Sequence, residues 1–261
     1  KTTAGTVDFT GANPYTGLTT VSAGTLNLNT TGANALSGNL TVSGGSTVLQ
    51  QSDQIADGKN VVVSGGTLDI AGNSDTVNGV QLTSGNINGS GGTLTSTTAF
   101  DMQGGSVSAI LGGTAGLNAT VGTTTLSGAN SYTGVTTVSS GTLALGAVTG
   151  SLADTSTLVV NGTGTFDLGG RSDTVGGVQL VAGTIQNGTL TSTTNYDLQS
   201  GTVSAVLAGS VGADKTTAGT VDFTGANTYT GLTTVSAGTL MLSGGAALDD
   251  AGVVTIANAL G

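Results

Sequence analysis

The sequence predicts an all-β fold: a right-handed parallel β-helix, or β-solenoid, of about 13 coils of roughly 19 residues each. Three observations carry that expectation. A glycine anchor recurs at near-constant spacing, apolar and polar residues alternate on either side of it, and the composition disfavours helices and charge.

The anchor is a glycine followed by Thr or a similar polar residue, then usually by an apolar one. Its glycines are Gly5, Gly24, Gly45, Gly66, Gly85, Gly105, Gly122, Gly141, Gly164, Gly183, Gly201, Gly219 and Gly238, with spacings of 17 to 23 residues. The residue two places after the glycine is apolar except at Thr47 and Thr124. An apolar residue also precedes most anchors, as at Val21, Val42, Val63, Leu82, Val138 and Val235. The local unit therefore reads strand, tight corner at glycine, strand, with glycine supplying the positive φ that such corners need. Stretches such as Thr25-Leu26-Asn27-Leu28 and Thr67-Leu68-Asp69-Ile70 alternate with period two, the mark of strands with one buried face.

A larger repeat lies above the coil. GANPYTG (11–17), GANSYTG (128–134) and GANTYTG (225–231) open three units, expected at 5–121, 122–218 and 219–261, the last truncated. The first is one coil longer than the second, an insertion that keeps a solenoid in phase; the added anchor is taken as Gly45. Residues 1–26 recur at 215–240 with only Pro14 changed, to Thr228. The expected organisation is a single continuous solenoid over 1–261, a window of a longer tandem array.

Composition removes several function classes. The net charge is −10, charged residues make up 7%, and all 14 acidic side chains are Asp. Glu is absent and Lys and Arg total four, so strong helix formers are scarce, while Thr and Val favour strands. Four basic residues cannot neutralise a phosphate backbone, so no nucleic-acid partner is expected. Without Cys or His there is no disulfide, thiolate metal site or imidazole base. No apolar run approaches the length of a spanning helix, so membrane insertion by this segment is not expected. Hydrophobic residues at 36%, regularly placed, argue against disorder. The charge depletion follows from stacking. Equivalent side chains of adjacent coils lie about 4.8 Å apart, where like charges repel by about 1 kcal/mol or more, whereas neutral Thr and Asn can form hydrogen-bonded ladders.

The string LSGANSYTGVTTVSSGTLAL (126–145) resembles the autotransporter-associated β-strand repeat of bacterial passenger domains. The resemblance continues through GGTLDIAGNSDTVNGVQLTSGNI (65–87), its partner GTFDLGGRSDTVGGVQLVAGTI (164–185), and the connectors at 109–117 and 205–220. Lys1 and Lys215 fall where the family's connector often carries Lys; Asn118-Ala119 stands there in the middle unit. The resemblance implies an extracellular or cell-surface segment of a Gram-negative-type bacterium, exported unfolded and folding outside as a parallel β-helix.

Candidate sites weigh toward structure. Asp53 and Asp57 share a loop with Lys59, Asp249 and Asp250 are adjacent, and Asp173 lies near Arg171. Asp75 and Asp173 occupy equivalent places in NSDTV and RSDTV. No convergent acid–base pair is visible, so these read as capped turns, and no catalytic residue is expected. Residues 161–167 (NGTGTFD) faintly resemble a calcium nonapeptide, but once only, where such sites need consecutive copies. Tyr15, Tyr132 and Tyr229 sit too far apart for one stacking platform; Asn and Gly of GANxYTG are expected to shape a corner, with Asn tolerating the left-handed region and Tyr covering it. TLTSTT at 93–98 and 189–194 is missing from neighbouring coils, so an ice-binding lattice is not expected. The two longest excursions, 50–60 and 146–157, are the places where a projecting loop could meet another molecule, the plainer reading being a corner insertion without a partner.

The expected function is a structural stalk or fibre segment at the cell surface, not an enzyme, with no cofactor and no metal. Its expected partner is itself, through neighbouring repeats or end-to-end stacking of strand edges. The alternative is an adhesin that meets a host, a glycan or a neighbouring cell through the excursions. With no His and few carboxylates, little change in stability is expected between pH 5 and 8.

Overall fold

Alternating burial along short strands is the feature from which the architecture follows. The structure, a computed structural model, describes residues 1–146, 151–249 and 252–257. It is all-β, a parallel β-solenoid of about 13 turns of about 19 residues, as the sequence predicts. The chain divides into two compact units, Lys1–Asn118 with Gly122–Gly134, and Ala119–Val121 with Val135–Gly261.

In the first unit the coils contribute strands to three parallel columns. One runs from Thr6–Phe9 through Thr25–Leu28 and Ser46–Leu49 to 67–69, 86–88, Gly105–Val107 and Thr123–Leu126. The second runs from Thr19–Val21 through Leu40–Val42, 61–63 and 80–82 to Phe100–Met102. The third joins Asp75–Val77, Thr93–Ser96 and Ile110–Gly112, preceded by a parallel bridge between Leu36 and Ile55. Leu26, Leu68, Ile87, Val107 and Leu126 stack inward along the first column, and Val21, Leu40, Val42, Val61, Val63, Leu82 and Met102 along the second. Burying each such side chain contributes about 1.5–3 kcal/mol, so the core is a sum of small, similar steps between neighbouring coils.

The second unit repeats the plan. One column runs Thr136–Val138, Thr157–Val160, Gly177–Leu180, Tyr196–Leu198, Ala213–Lys215, Thr233–Val235 and Val254–Ile256. Another runs Thr142–Leu145, 165–167, 184–186, Gly201–Val203, Thr220–Phe223 and Thr239–Leu242. A third joins 171–175, 188–192 and Val206–Ala208.

The register follows the glycine anchors, with an instructive departure. Thr6 faces Thr25, Thr25 faces Ser46, and Ser46 faces Thr67, each the residue after an anchor. Gly105, however, faces Thr124 rather than Gly122, and Gly201 faces Val221 rather than Gly219. The two shortest steps near these positions are therefore coils of ordinary length whose anchor glycine sits two residues early. A two-residue offset keeps every inward side chain inward. It also resolves one of the two polar exceptions: Leu126, not Thr124, occupies the row of Val107. Thr47 remains in its row, facing Leu26 and Leu68, fully buried with its hydroxyl unpartnered.

The corner chemistry is clearest at Gly45, whose φ is 64°. A Cβ there would collide with the Gly24 carbonyl oxygen and lie 2.8 Å from the Ala23 carbonyl carbon, so glycine is required both by conformation and by the approach of the preceding coil. Lys215 departs from the apolar pattern. It occupies an inward position between Leu198 and Val235 of the neighbouring strands and is 1% exposed. Its Nζ donates to the carbonyls of Thr217 and Ala237, the latter at 3.1 Å, and burial lowers its pKa. Lys1 makes the same pair of bonds to Thr3 and Ala23, so the connector lysine clamps a corner by filling carbonyls that face no strand.

Candidate functional site

Two environments stand out among the carboxylates that bond across coils. Asp75 and Asp173 turn inward, 1% and 2% exposed. The Asp75 Oδ2 accepts the backbone N–H groups of Gln54 (2.9 Å) and Ile55 (3.0 Å), while its Oδ1 has no partner. Asp173 Oδ2 accepts Leu152 N–H at 3.0 Å and Oδ1 accepts Thr174 N–H at 2.9 Å. Burial pushes the carboxyl of Asp75 up to about 7 against the pull of those N–H groups, with Asp53 adding to the rise. Burial likewise pushes Asp173 up to about 6, with Asp154 adding to it. Arg171 is exposed and Asp173 is not, so their closeness in sequence does not make a pair at the surface. Asp53, Asp57 and Asp249 are exposed; Asp250 lies outside the described residues.

The same inward position is held elsewhere by the Asn of GANxYTG. Asn130 Oδ1 accepts Leu111 N–H at 2.9 Å and Asn227 Oδ1 accepts Leu207 N–H at 2.8 Å. The Nδ2 of Asn227 also donates to Ala247 O at 2.8 Å, in the following coil. These Asn are buried staples between coils and do not adopt the left-handed region; among the described residues the non-glycine residues with positive φ are Asp53, Ala71 and Asn187. Tyr132 and Tyr229 are core residues rather than corner covers, each 6.0 Å from a second ring, Phe100 and Tyr196 respectively, while Tyr15 is exposed. Tyr196 escaped the motif reading. Its hydroxyl accepts Ser192 N–H (3.0 Å) and Ala208 N–H (3.2 Å) and lies 2.7 Å from the carbonyls of Leu190 and Ala208; burial pushes it up to about 12.

The excursion at 50–60 turns inward at its middle, while 50–53, 57, 58 and 60 stay exposed. Gln54 and Ile55 are fully buried, Ile55 bridges Leu36, and the Gln54 amide bonds both the N–H and the carbonyl of Thr30 at 2.7 and 2.9 Å. Part of the second excursion, 147–150, lies outside the described residues; Ser151, Leu152 and Ser156 beyond it are buried. In the calcium-like stretch Phe166 is core, and Asp167 accepts the side-chain amides of Gln186 and Asn187. Among the described residues no group of three or more His, Cys, Asp or Glu could hold a metal ion. The outward Thr rows that include the TLTSTT strings are short: Thr76 and Thr95 are followed by Gly112, and Thr174 and Thr191 by Ala208.

The second carboxylate environment is an amide ladder on the outer face. Asp101 Oδ2 accepts Gln81 Nε2 at 2.7 Å and Gln103 Nε2 at 2.9 Å. Asp197 Oδ2 accepts Gln179 Nε2 at 2.7 Å and Gln199 Nε2 at 3.0 Å, and its Oδ1 accepts Thr216 Oγ1 at 3.1 Å. The signal for it was present in the sequence, in GVQL at 79–82 and 177–180 with DMQ at 101–103 and DLQ at 197–199, but needs the coil register to pair the two strings.

This geometry defines a repeat protein whose polar residues chiefly join one coil to the next. Three stretches, 1–28, 121–145 and 214–242, match the family model described as passenger-associated-transport-repeat. Those stretches are thus similar to a passenger repeat, the kind of family that the motifs resemble. That repeat implies an autotransporter passenger domain and, with it, export to the cell surface. No curated protein and no solved structure matches the chain. No helix among the described residues is long and apolar enough to cross a membrane.

Proposed function

We propose that this chain is a stalk or fibre segment of a passenger domain, whose work is mechanical and not catalytic. The observation that carries this reading is the engagement of side chains between coils. Within each unit successive strands pair in parallel, and Asp75, Asp173, Asn130 and Asn227, which the sequence reads as turn and corner residues, bond the backbone of the preceding coil. Load applied along a column would be shared by many short parallel hydrogen bonds, and length would scale with repeat number. The apolar edge formed by Met241, Leu242, Val254 and Ile256 is exposed. A further coil, from the same array or a second copy, is the partner that would cover it. The inward course of Gln54 and Ile55 weighs against an adhesin that binds through that excursion.

Electron microscopy of the purified chain tests the proposal. Elongated particles whose length grows with each added copy of the unit at 122–218 support it; compact particles of fixed size overturn it. A broad glycan-hydrolysis screen tests the absence of catalysis, and turnover abolished by Asp101→Asn or Asp197→Asn would refute it.

A further inference from the structure

Residues 1–26 and 215–240 are the same string except at one place, Pro14 against Thr228. The second copy lies under a preceding coil and shows how that coil covers this surface. Gly201–Val203 pairs with 221–223, and Tyr196–Leu198 with Ala213–Lys215. Beneath them Val221 and Tyr229 are 0% and 4% exposed, whereas their counterparts Val7 and Tyr15 are each 41% exposed. Asn13 Nδ2 donates to the carbonyls of Gly11 and Ala35, both at 3.0 Å, as Asn227 Nδ2 does to those of Gly225 and Ala247, so the two copies turn this corner alike.

The one difference falls on a bond between coils. Thr228 N–H donates to Leu207 O of the preceding coil at 2.8 Å, and in the middle GANxYTG string Ser131 N–H donates to Leu111 O at the same distance. Pro14 has no N–H. Its ring carbon stands where that hydrogen would be, so a carbonyl oxygen this close to the nitrogen would collide with it. We infer that Pro14 is a guard on the face of residues 1–28, denying that face to the end of a second copy of this chain. The rest of the face is fitted to receive such an end. Val7, Tyr15 and Leu18 are exposed there, as Met241, Leu242, Val254 and Ile256 are on the edge at 241–256. The N–H groups of Thr10 and Tyr15 match those that Thr224 and Tyr229 give to Val203 O and Leu207 O at 2.9 and 3.1 Å. Open strand edges add to one another unless a device such as an edge proline interrupts them. The inference rests on the coil stacking proposed above and narrows its partner: a further coil of the same array, rather than a second copy, covers the edge at 241–256. Particle length against unit number reads that proposal whichever residue stands at 14; association between copies reads this one.

The test is sedimentation velocity of the intact chain over a range of concentrations, with Pro14→Thr and Pro14→Ala beside it. Each variant restores the N–H and is expected to self-associate at least about tenfold more tightly than the original chain. Thr already stands at the matching position 228, so Pro14→Thr is compatible with the fold. In the assembled variant, amide exchange at Thr10 and Tyr15 is expected to slow, and adding Ile256→Asp to Pro14→Thr is expected to abolish association. The inference is overturned if the original chain associates as tightly as the variants, if either variant stays monomeric, if exchange at those two amides is unaltered in the oligomer, or if Ile256→Asp leaves association intact.

Discussion

Replacing Asp75 by Asn should stabilise the chain at neutral pH and leave it unchanged in acid. In the folded chain the carboxyl is buried and titrates at about 7, whereas its ordinary value is 3.8. Between these values the folded state holds the proton more tightly than the unfolded state, so stability is greatest below pH 4 and falls as pH rises through 7. A rise of about three pH units corresponds to roughly 4 kcal/mol lost by pH 8. Asn cannot ionise, yet its Oδ1 can accept the Gln54 and Ile55 N–H groups, as Asn130 and Asn227 do for Leu111 and Leu207. Asp75→Asn should therefore raise stability by several kcal/mol at pH 8 and by almost nothing at pH 4. Amide hydrogen exchange at Gln54 and Ile55, with urea unfolding at pH 4, 6 and 8, reads both. A gain independent of pH, or none at pH 8, would refute the reasoning. Asp173 contributes the same dependence in a lower window, from 3.8 to about 6, and at most roughly 3 kcal/mol. The flat profile expected between pH 5 and 8 from the absence of His is thus replaced by one that declines toward pH 8.

Other substitutions examine the stacking itself. Gly45→Ala should cost several kcal/mol, combining left-handed strain with a collision against the preceding coil; a melting temperature within a degree of the original would contradict the corner geometry. Thr47→Val removes a buried, unpartnered hydroxyl at nearly constant shape and should stabilise by about 1–2 kcal/mol in denaturant unfolding. Tyr196→Phe leaves the N–H groups of Ser192 and Ala208 without their hydroxyl acceptor and should cost about 2–4 kcal/mol, read as faster exchange at both amides. Deleting 50–60 removes the buried Gln54–Ile55 segment and should abolish the cooperative unfolding of the first unit; preserved β-rich circular dichroism with unaltered melting would show the segment to be dispensable.

The coil was legible because its determinants are local and repeat. Glycine at the corner, as at Gly45, and alternation beyond it, as in Thr25–Leu28, are properties of adjacent residues, so their periodicity gives both the strand and the length of the turn. The passenger repeat was legible for the same reason, since GANxYTG and its flanks are contiguous strings. What escaped were relations across coils. NSDTV reads as a polar turn, and only stacking shows that Asp75 faces the backbone of Ile55, twenty residues earlier. The excursion at 50–60 looks like a loop because its burial depends on Leu36 and Thr30 in the coil before it.

The amino-acid order by itself determined a stack of parallel laps, their period, and which face of each strand turns inward, because steric preference and hydrophobic alternation act over a few neighbouring residues. Tertiary structure alone decided register, and with it the two-residue offset at Gly105 and Gly201, the burial of Asp75, Asp173 and Lys215, and the pairing of Gln81 with Asp101. Those depend on which side chains meet about 4.8 Å away along the stack, and that distance is set by hydrogen bonding between coils rather than by proximity in the chain.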